Sequence, residues 1–506
     1  GIDTVKQAEI MAEVRTRLSL PVDESFSLAE HPTLGHMVGY AAQLLGRIEG
    51  KDDPVVDLES ASIPEPLPVP MIESDSESKS QETVDLKHLD SLMGHWAVEA
   101  EPIPLGRGSI ELPEEGTVIV TEDPFGLTLS LSERFEASGL NVVHLYLDAT
   151  AQSLRDESEQ GRSIFRLDPA AEHQWEALGN EMNAHPAVVG IVHAAPLHLV
   201  GIPWPGEVES SNYRDQILMA GVRLLNNHRG MTNQQGAFVV NMGTIDGKQG
   251  VDSNQVVHPL MASSAGLFGS WLRENPEVNG HVIDAHPSTL LDPGTLGRVI
   301  VDLMRRADLP IEVGITETHS LVRSVLVPIQ LLGQRTWDFE AGDMILISGG
   351  GSGVTAASAI GLAKALQGEG LNFALIGRTP LDDDVASWVT DDDEAIEARR
   401  LSLRQQLSDE SDSGKVTIVE WNNAWQPFER SLDIHRTLTA LRSHGHDAVY
   451  GSADVTDAEA VKAFVGEQIS DDNTVKAIIH GAGIEESKLL HEKSLSTFDN
   501  TVRIKL

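Results

Sequence analysis

The sequence predicts an α/β protein built from two doubly wound parallel sheets, with a short helical segment in front of them. Apolar runs of strand length alternate with helical stretches from about residue 89 onward, which is the pattern of parallel sheets covered by helices on both faces. One run, ILIS at 345–348, breaks into a glycine-rich turn that opens a helix, and no turn of that kind follows the earlier strands. We therefore expect the two sheets to differ in function.

The segment 1–48 predicts a small helical unit. Its first helix is indicated by DTVKQAEIMAEVRTRL at 3–18, in which Asp3 is a candidate N-cap. Apolar residues recur along it at helical spacing, namely Met11, Val14 and Leu18. A second helix begins after Pro32.

Residues 49–88 predict a disordered acidic linker. Closely spaced prolines are followed by SDSESKS at 74–80, and neither stretch supplies apolar residues for a core.

The region 89–336 predicts a doubly wound unit without a phosphate-binding loop. Five apolar runs are typical of buried parallel strands, namely TVIVTED (117–123), NVVHLYLD (141–148), VVGIVHAAP (188–196), GAFVVNMGT (236–244) and GHVIDAHP (280–287). The turn after the first of them, Pro124 to Leu127, offers one glycine where a nucleotide loop needs several. We predict a structural role for this region.

The region 337–506 predicts the binding site for a dinucleotide. Its first strand runs into a glycine loop and a helix N-terminus, formed by Gly349, Gly350, Gly351, Ser352, Gly353 and Val354. Glycine lets the backbone approach the pyrophosphate, and the first-turn N–H groups with the helix dipole supply partial positive charge. Alone, such a loop is equally typical of a plain strand-to-helix turn.

Each later strand of this region ends in a candidate cofactor contact. The strands are LNFALIGRT (371–379), HDAVYGSADVTD (446–457) and VKAIIHGAGI (475–484). Arg378 follows the first of these, where an arginine pairs with a 2'-phosphate, so NADPH is favoured over NADH. We assign the adenine side to Asp454 and Val455. The nicotinamide side is assigned to His480, Gly481, Ala482 and Gly483.

Composition excludes several function classes. The formal net charge is -40, from 77 acidic and 37 basic residues, which disfavours nucleic acid or an anionic membrane as partner. The chain has no cysteine, which excludes disulfides, cysteine metal sites and thiol nucleophiles. The aspartate runs at 382–384 and 391–394 are interpreted as a solvated insertion, and no metal site is predicted. No apolar run or signal peptide indicates a membrane, so we predict a cytoplasmic location.

Several stretches carry a resemblance to known families. The loop after 345 resembles the TGxxxGxG loop of short-chain dehydrogenase/reductases, with Ser348 for threonine and Thr355 for the last glycine. SSAGLFGSWLRENPEVNGHVIDAHP (263–287) resembles the degenerate structural half that precedes the catalytic half in ketoreductase regions of modular polyketide and polyunsaturated fatty acid synthases. GIDTVKQAEIM and SLAEHPTLGHMVGYAAQLL, within 1–48, resemble the second half of an acyl carrier protein.

This resemblance implies a domain order and an activity. It implies a carrier-protein piece at 1–48, the linker at 49–88, a degenerate Rossmann-like subdomain at 89–336, and a cofactor-binding catalytic subdomain at 337–506. The implied reaction is NADPH-dependent reduction of a β-ketoacyl thioester to a β-hydroxyacyl thioester. The implied partners are a substrate bound to an acyl carrier protein and other domains of the same synthase. In the carrier family a serine holds phosphopantetheine. Thr4 stands in its place, and we expect no modification there because its hydroxyl is secondary and bulkier.

The resemblance also implies a catalytic lysine. Ketoreductases use a Tyr, a Ser, a Lys and an Asn, and FDNTVRIKL (498–506) matches the stretch that carries the lysine, which assigns that role to Lys505. We expect the other three beyond residue 506, so the chain is interpreted as a truncated piece of a longer protein that is inactive alone. A non-catalytic scaffold, with a carrier-like segment and a pair of nucleotide folds, is the alternative hypothesis.

Overall fold

The computed structural model describes residues 95–104, 106, 110–158, 162–202, 210–252, 258–329, 339–410, 416–469 and 474–505. The predicted carrier piece 1–48, with Thr4, and the predicted linker 49–88 lie outside these residues. Within the described residues the chain forms two sheets of ten and four strands.

The first sheet contains ten strands in the order β1-β10-β9-β8-β7-β6-β2-β3-β5-β4. Their bounds are β1 His95–Pro102, β2 Thr117–Thr121, β3 Asn141–Leu147, β4 Arg155–Asp156, β5 Ser163–Leu167, β6 Val188–His193, β7 Phe238–Gly243, β8 Asn279–Ala285, β9 Glu312–Ile315 and β10 Leu321–Ile329. The seven strands from β9 to β5 pair in parallel, whereas β1, β10 and β4 join the edges in antiparallel pairing. The strand order therefore reverses between β2 and β6, as in doubly wound sheets.

Helices cover both faces of this sheet. They are α1 Leu127–Ala137, α2 Glu172–Met182, α3 Ser210–Arg214 with a π-helical turn Asp215–Met219, α4 Ala220–Asn227, α5 Pro259–Glu274 and α6 Pro293–Met304. Alternate residues of β2 point to opposite cores, because strand side chains have a period of two. Val118 and Val120 pack with α1 and α6. Ile119 packs with α2, α4 and α5 on the other face.

The second sheet has four parallel strands in the order β13-β12-β11-β14. Their bounds are β11 Met344–Ser348, β12 Asn372–Gly377, β13 Asp447–Ser452 and β14 Val475–His480. The helices of this region are α7 Gly353–Ala365, α8 Asp393–Glu410, α9 Ile418–Ser443, α10 Ala458–Gln468 and α11 Leu495–Lys505. The core contains Ile345 and Phe373 from the strands with Ala359 and Leu438 from α7 and α9. The order reverses between β11 and β14, and the predicted fold class is confirmed.

The structure differs from the sequence prediction in several elements. Five further strands, β1, β4, β5, β9 and β10, belong to the first sheet. The strand predicted over 446–457 ends at Ser452, because Asp454 and Asp457 begin a turn and cap α10. The two aspartate runs begin helical segments: a 3₁₀ helix spans Asp383–Thr390, and α8 follows with no buried residue. No helix in the described part of the chain is long and apolar enough to cross a membrane.

Candidate functional site

A cavity of about 750 Å³ lies at the carboxyl ends of the second sheet, where its strand order reverses. Open α/β sheets bind ligands at this position. The lining residues come from the ends of all four strands, from α9 and from the end of α11, namely Gly349, Gly351, Ser352, Gly377, Arg378, Thr379, Pro380, Pro427, Arg430, Ile434, Tyr450, Ala453, Asp454, Val455, Gly481, Ala482, Gly483 and Ile504.

The glycine loop is tightly packed on its protein side. Gly349 has a φ of 69°, and a Cβ atom there would lie 2.7–2.8 Å from backbone atoms of Gly481 and Ala482. A Cβ at Gly351 would lie 2.7 Å from the side chain of Ile434. Because only glycine avoids these overlaps, the loop from β11 can lie directly against the loop from β14. The two loops form one continuous wall of the cavity.

The N-terminus of α7 opens at this loop. Its N-cap is Ser352 in extended backbone, and neither a side-chain cap nor an acidic first-turn residue is present. Ser352 also lines the cavity. The first-turn N–H groups of a helix carry partial positive charge and bind anions when no side chain satisfies them. This end of the cavity suits a phosphate or pyrophosphate group.

The ends of β12 and β13 supply charge. Arg378 follows β12 and is exposed. Asp454 accepts hydrogen bonds from the Thr456 N–H at 2.9 Å and hydroxyl at 2.8 Å. These bonds lower the pKa of Asp454, with a further contribution from the positive charges of Arg378 and Arg503. The Asp454 side chain is therefore an ionised hydrogen-bond acceptor on the cavity wall.

The end of β14 is connected to both β11 and α11. His480 Nε2 lies 3.0 Å from the carbonyl oxygen of Ile504 and donates to it. In the neutral ring Nδ1 is then the acceptor, and the Ser348 hydroxyl donates to it over 2.6 Å. The Ala482 N–H donates to Ser348 Oγ over 3.3 Å. These bonds fix the loop at 481–483 beside the last turn of α11.

Lys505 stands at the end of that last turn. A Cβ at Gly483 would lie 3.0 Å from Lys505 Cε and 3.1 Å from Nζ. The ammonium group is therefore beside the loop that lines the cavity. Helix α11 is attached to the first sheet and its helices. Phe498 packs among the helices of the first sheet, and Asp499 Oδ1 lies 2.9 Å from Arg214 Nε. The 3₁₀ turn before α11 is also attached, since the Leu490 N–H donates to Glu274 over 3.1 Å.

Most of the sequence-predicted cofactor residues lie on the cavity wall, namely Gly349, Gly351, Ser352, Arg378, Asp454, Val455, Gly481, Ala482 and Gly483. Four do not. Gly350 faces Ile347 beneath the loop. Gly353 has a φ of 66° and no atom within 4 Å of the place where a Cβ would stand, and Val354 is 84% exposed. His480 supports the loop through the hydrogen bonds above.

The sequence prediction missed the wall formed by α9. Pro427, Arg430 and Ile434 line the cavity, and their spacing of three and four residues places them on one helical face. Tyr450, on β13, also lines it and donates from its hydroxyl to the Thr379 carbonyl at 2.8 Å. Burial raises the pKa of Tyr450, although the bond to Thr379 partly offsets this. Within the described ranges, no group of three His, Cys, Asp or Glu side chains could hold a metal ion.

Comparisons with known proteins found one family model that matches the part of the chain containing this site. Residues 344–506 match the family model of the KR domain. A polyunsaturated fatty acid synthase subunit from Thraustochytrium sp. is 21% identical over 523 aligned residues, which cover 99% of this chain. The chain spans 17% of the length of that protein.

Solved structures share the fold. An N-terminal ketoreductase from the macrolactin assembly line aligns with a TM-score of 0.56 and 14% identity, over 83% of this chain and 72% of that one. A multidomain structure of a keto acid-selecting NRPS module, with adenylation and ketoreductase domains, aligns with a TM-score of 0.56 and 16% identity. That alignment covers 81% of this chain and 30% of the other.

Proposed function

We propose that this chain serves the NADPH-dependent reduction of β-ketoacyl thioesters to β-hydroxyacyl thioesters, because residues 344–506 match the family model of the KR domain and the chain is similar to a polyunsaturated fatty acid synthase subunit. One observation carries the proposal. The glycine loop, an arginine after the second strand and a second glycine-containing loop surround one cavity where the strand order reverses.

The residues present fit a phosphorylated dinucleotide. The loop at Gly349 and Gly351 leaves the backbone exposed to the cavity beside an uncapped helix N-terminus, which suits the pyrophosphate. Arg378 is assigned to the 2'-phosphate. Asp454 and Val455 are assigned to the adenine side, as predicted from the sequence. NADPH, when bound, supplies a hydride to an electrophilic carbon.

The nicotinamide side is assigned to the loop at 481–483 and to α11. The glycines of this loop allow close approach of the backbone. His480 supports the loop, and its bond to the Ile504 carbonyl fixes the residue that precedes Lys505. We assign Lys505 the role of holding a positive charge at this end of the cavity, where it orients the reacting groups and favours proton donation to the product oxygen.

We further propose the domain assignment given by the sequence. Residues 89–336 form the structural subdomain and residues 337–506 the catalytic subdomain, after a carrier-protein piece at 1–48 and a linker at 49–88. The contacts of α11 with the first sheet support a role for the structural subdomain in positioning Lys505. The proposed partners are a carrier-bound β-ketoacyl substrate and other domains of a synthase, in the cytoplasm.

Nucleotide titration tests the proposal. We expect the chain to bind NADPH more tightly than NADH, by fluorescence or calorimetry. Arg378→Ala should weaken NADPH binding by about 10- to 100-fold, because a charge-assisted bond to a phosphate contributes about 1.5–3 kcal/mol. The control is Arg404→Ala, an exposed arginine on α8, which should change neither affinity.

Two outcomes would contradict the proposal. Equal affinity of the unmutated chain for the two nucleotides would remove the assignment of Arg378. Absence of binding to either nucleotide, in a chain shown to be folded, would favour the alternative of a non-catalytic scaffold.

A further inference from the structure

The connection from β12 to β13 contains more than the one helix that such a crossover needs. It includes the 3₁₀ helix Asp383–Thr390, α8 and the 26-residue α9. Its first residues are tied to α9. The Asp382 N–H donates to Ser431 Oγ over 2.8 Å, and His435 Nε2 donates to the Asp382 carbonyl over 2.9 Å. Asp382 is therefore anchored to α9.

One face of α9 closes the cavity on this side. Ile434 packs against Gly351 of the glycine loop. Arg430 lies one turn earlier, about 6 Å along the helix axis from Ile434, and lines the same cavity. The strand end that carries Arg378, Thr379 and Pro380 lines the same cavity.

Arg430 is an exposed residue on a packed turn of α9. Its Nη2 donates to Gln426 Oε1 over 3.1 Å, one turn back on α9. The preceding turns of α9 are packed by aromatic rings, since Phe428 stacks on Trp388 with centroids 5.8 Å apart and lies 6.3 Å from Trp425. The guanidinium of Arg399, on α8, also lies over the Trp388 ring, 4.6 Å from its centroid. The α9 turn that carries Arg430 is therefore supported by packed side chains.

The charge on the cavity wall is unusual for this chain. The formal net charge of the sequence is -40, but the charged residues that line the cavity are two arginines, Arg378 and Arg430, and one carboxylate, Asp454. A phosphate monoester carries about -1.5 to -2 charges at neutral pH and is matched by two guanidinium groups.

We infer that Arg430 is a second specificity-determining residue for the 2'-phosphate, so that α9 completes a two-arginine phosphate site. This inference rests on the proposed function, in which NADPH is the ligand and Arg378 the first arginine. It assigns α9, in the connection between β12 and β13, the role of carrying a cofactor-binding residue.

The test is to titrate NADPH, NADH and adenosine 2',5'-bisphosphate into the 506-residue chain and its Arg430→Ala variant. We expect Arg430→Ala to weaken the binding of NADPH and of the bisphosphate by about 10-fold and the binding of NADH by less than about twofold. The reason is that only the first two ligands carry the 2'-phosphate. Arg430→Lys should recover part of the loss. The matched control is Arg436→Ala, an exposed arginine on the same helix whose position is not among the cavity residues.

A double mutant gives a further measurement. If both arginines bind one phosphate, the double mutant Arg378→Ala, Arg430→Ala should lose less NADPH affinity than the product of the fold-losses in the two single mutants. An equal loss for NADPH and NADH in Arg430→Ala would overturn the inference, since it would assign the arginine to the pyrophosphate. Unchanged NADPH affinity would overturn it and leave the proposed function intact. Failure of the unmutated chain to bind either nucleotide would overturn both.

Discussion

The two sheets carry the same arrangement at the point where their strand order reverses. In the second, Ser348 ends β11 and bonds His480, which ends β14 and donates to the Ile504 carbonyl. In the first sheet, Thr121 ends β2, and its Oγ1 lies 3.4 Å from Nδ1 of His193, which ends β6. The Nε2 atom of His193 lies 2.9 Å from the carbonyl oxygen of Ile217. The scaffold is therefore repeated.

The residues directly after these strands are not repeated. Ser348 is followed by three glycines, whereas Thr121 is followed by Glu122 and Asp123. The Asp123 carboxylate accepts from the N–H groups of Phe125, Leu127 and Thr128 at 2.7–3.2 Å. Asp123 therefore caps the N-terminus of α1 from within the protein. By contrast, the N-terminus of α7 has no side-chain cap.

The loops after the two histidines also differ in whether they line a cavity or are buried. His480 is followed by Gly481, Ala482 and Gly483, which line the open cavity. His193 is followed by the 3₁₀ helix Ala195–Leu199, most of which is buried. A few residues at strand ends thus separate loops that line an open cavity from loops that are bonded and buried within the protein, and the strands themselves do not reveal the difference.

The glycine loop gives the strongest test of this difference. Gly349→Val should weaken nucleotide binding by about 100-fold or more, because the side chain would overlap the backbone of Gly481 and Ala482 in the loop after β14. The positive φ of Gly349 adds strain of about 1–3 kcal/mol for a branched residue. The control is Gly126→Val in the equivalent turn of the first sheet, where φ is 80° and no atom lies within 4 Å of the added carbon.

The control should cost stability through backbone strain but leave NADPH affinity unchanged. Binding is measured by titration and folding by circular dichroism. A folded Gly349→Val variant with normal NADPH affinity would show that the loop is only a turn.

The buried His193 of the first sheet predicts a pH dependence of stability. His193 is fully buried and stacks on Phe268, and burial lowers its pKa from 6.5 to about 4. The folded state thus resists protonation of His193. The stabilisation that comes from the neutral ring is complete above pH 6.5 and is lost as the pH falls toward 4. At about 1.36 kcal/mol per pKa unit the loss is about 3 kcal/mol.

His193→Gln should flatten this part of the profile, because the Gln amide can still donate to the Ile217 carbonyl but does not titrate. The measurement is urea unfolding at a series of pH values between about 7 and 4 for both proteins. Identical profiles would mean that His193 is accessible to protons in the folded state.

The sequence predicted the local features well and the long-range ones poorly. The central parallel strands are runs of apolar residues, and the loops that line the cavity directly follow them, so one local pattern indicated both. The edge strands β1 and β10 were missed because they pair antiparallel with largely exposed faces, as at Trp96 and Leu326. Arg430 was missed because packing of α9, not spacing along the chain, brings it to the cavity.

The smallest expected effect concerns how the two helix N-termini are satisfied. Asp123→Ala should lower the free energy of unfolding by about 2 kcal/mol, because it leaves several N–H groups at the start of α1 without their acceptor. Hydrogen exchange at the α1 amides and urea unfolding would measure this. NADPH affinity should be unchanged.

The matched substitution at the other helix is Ser352→Ala. Ser352 is the N-cap of α7 but its hydroxyl makes no capping bond, so its removal should change the free energy of unfolding by less than about 0.5 kcal/mol. The two values together measure how far each helix N-terminus is satisfied from within the protein. If Ser352→Ala destabilised the chain as much as Asp123→Ala, α7 would be capped internally like α1. Its N-terminus would then be no better prepared for a phosphate than that of α1.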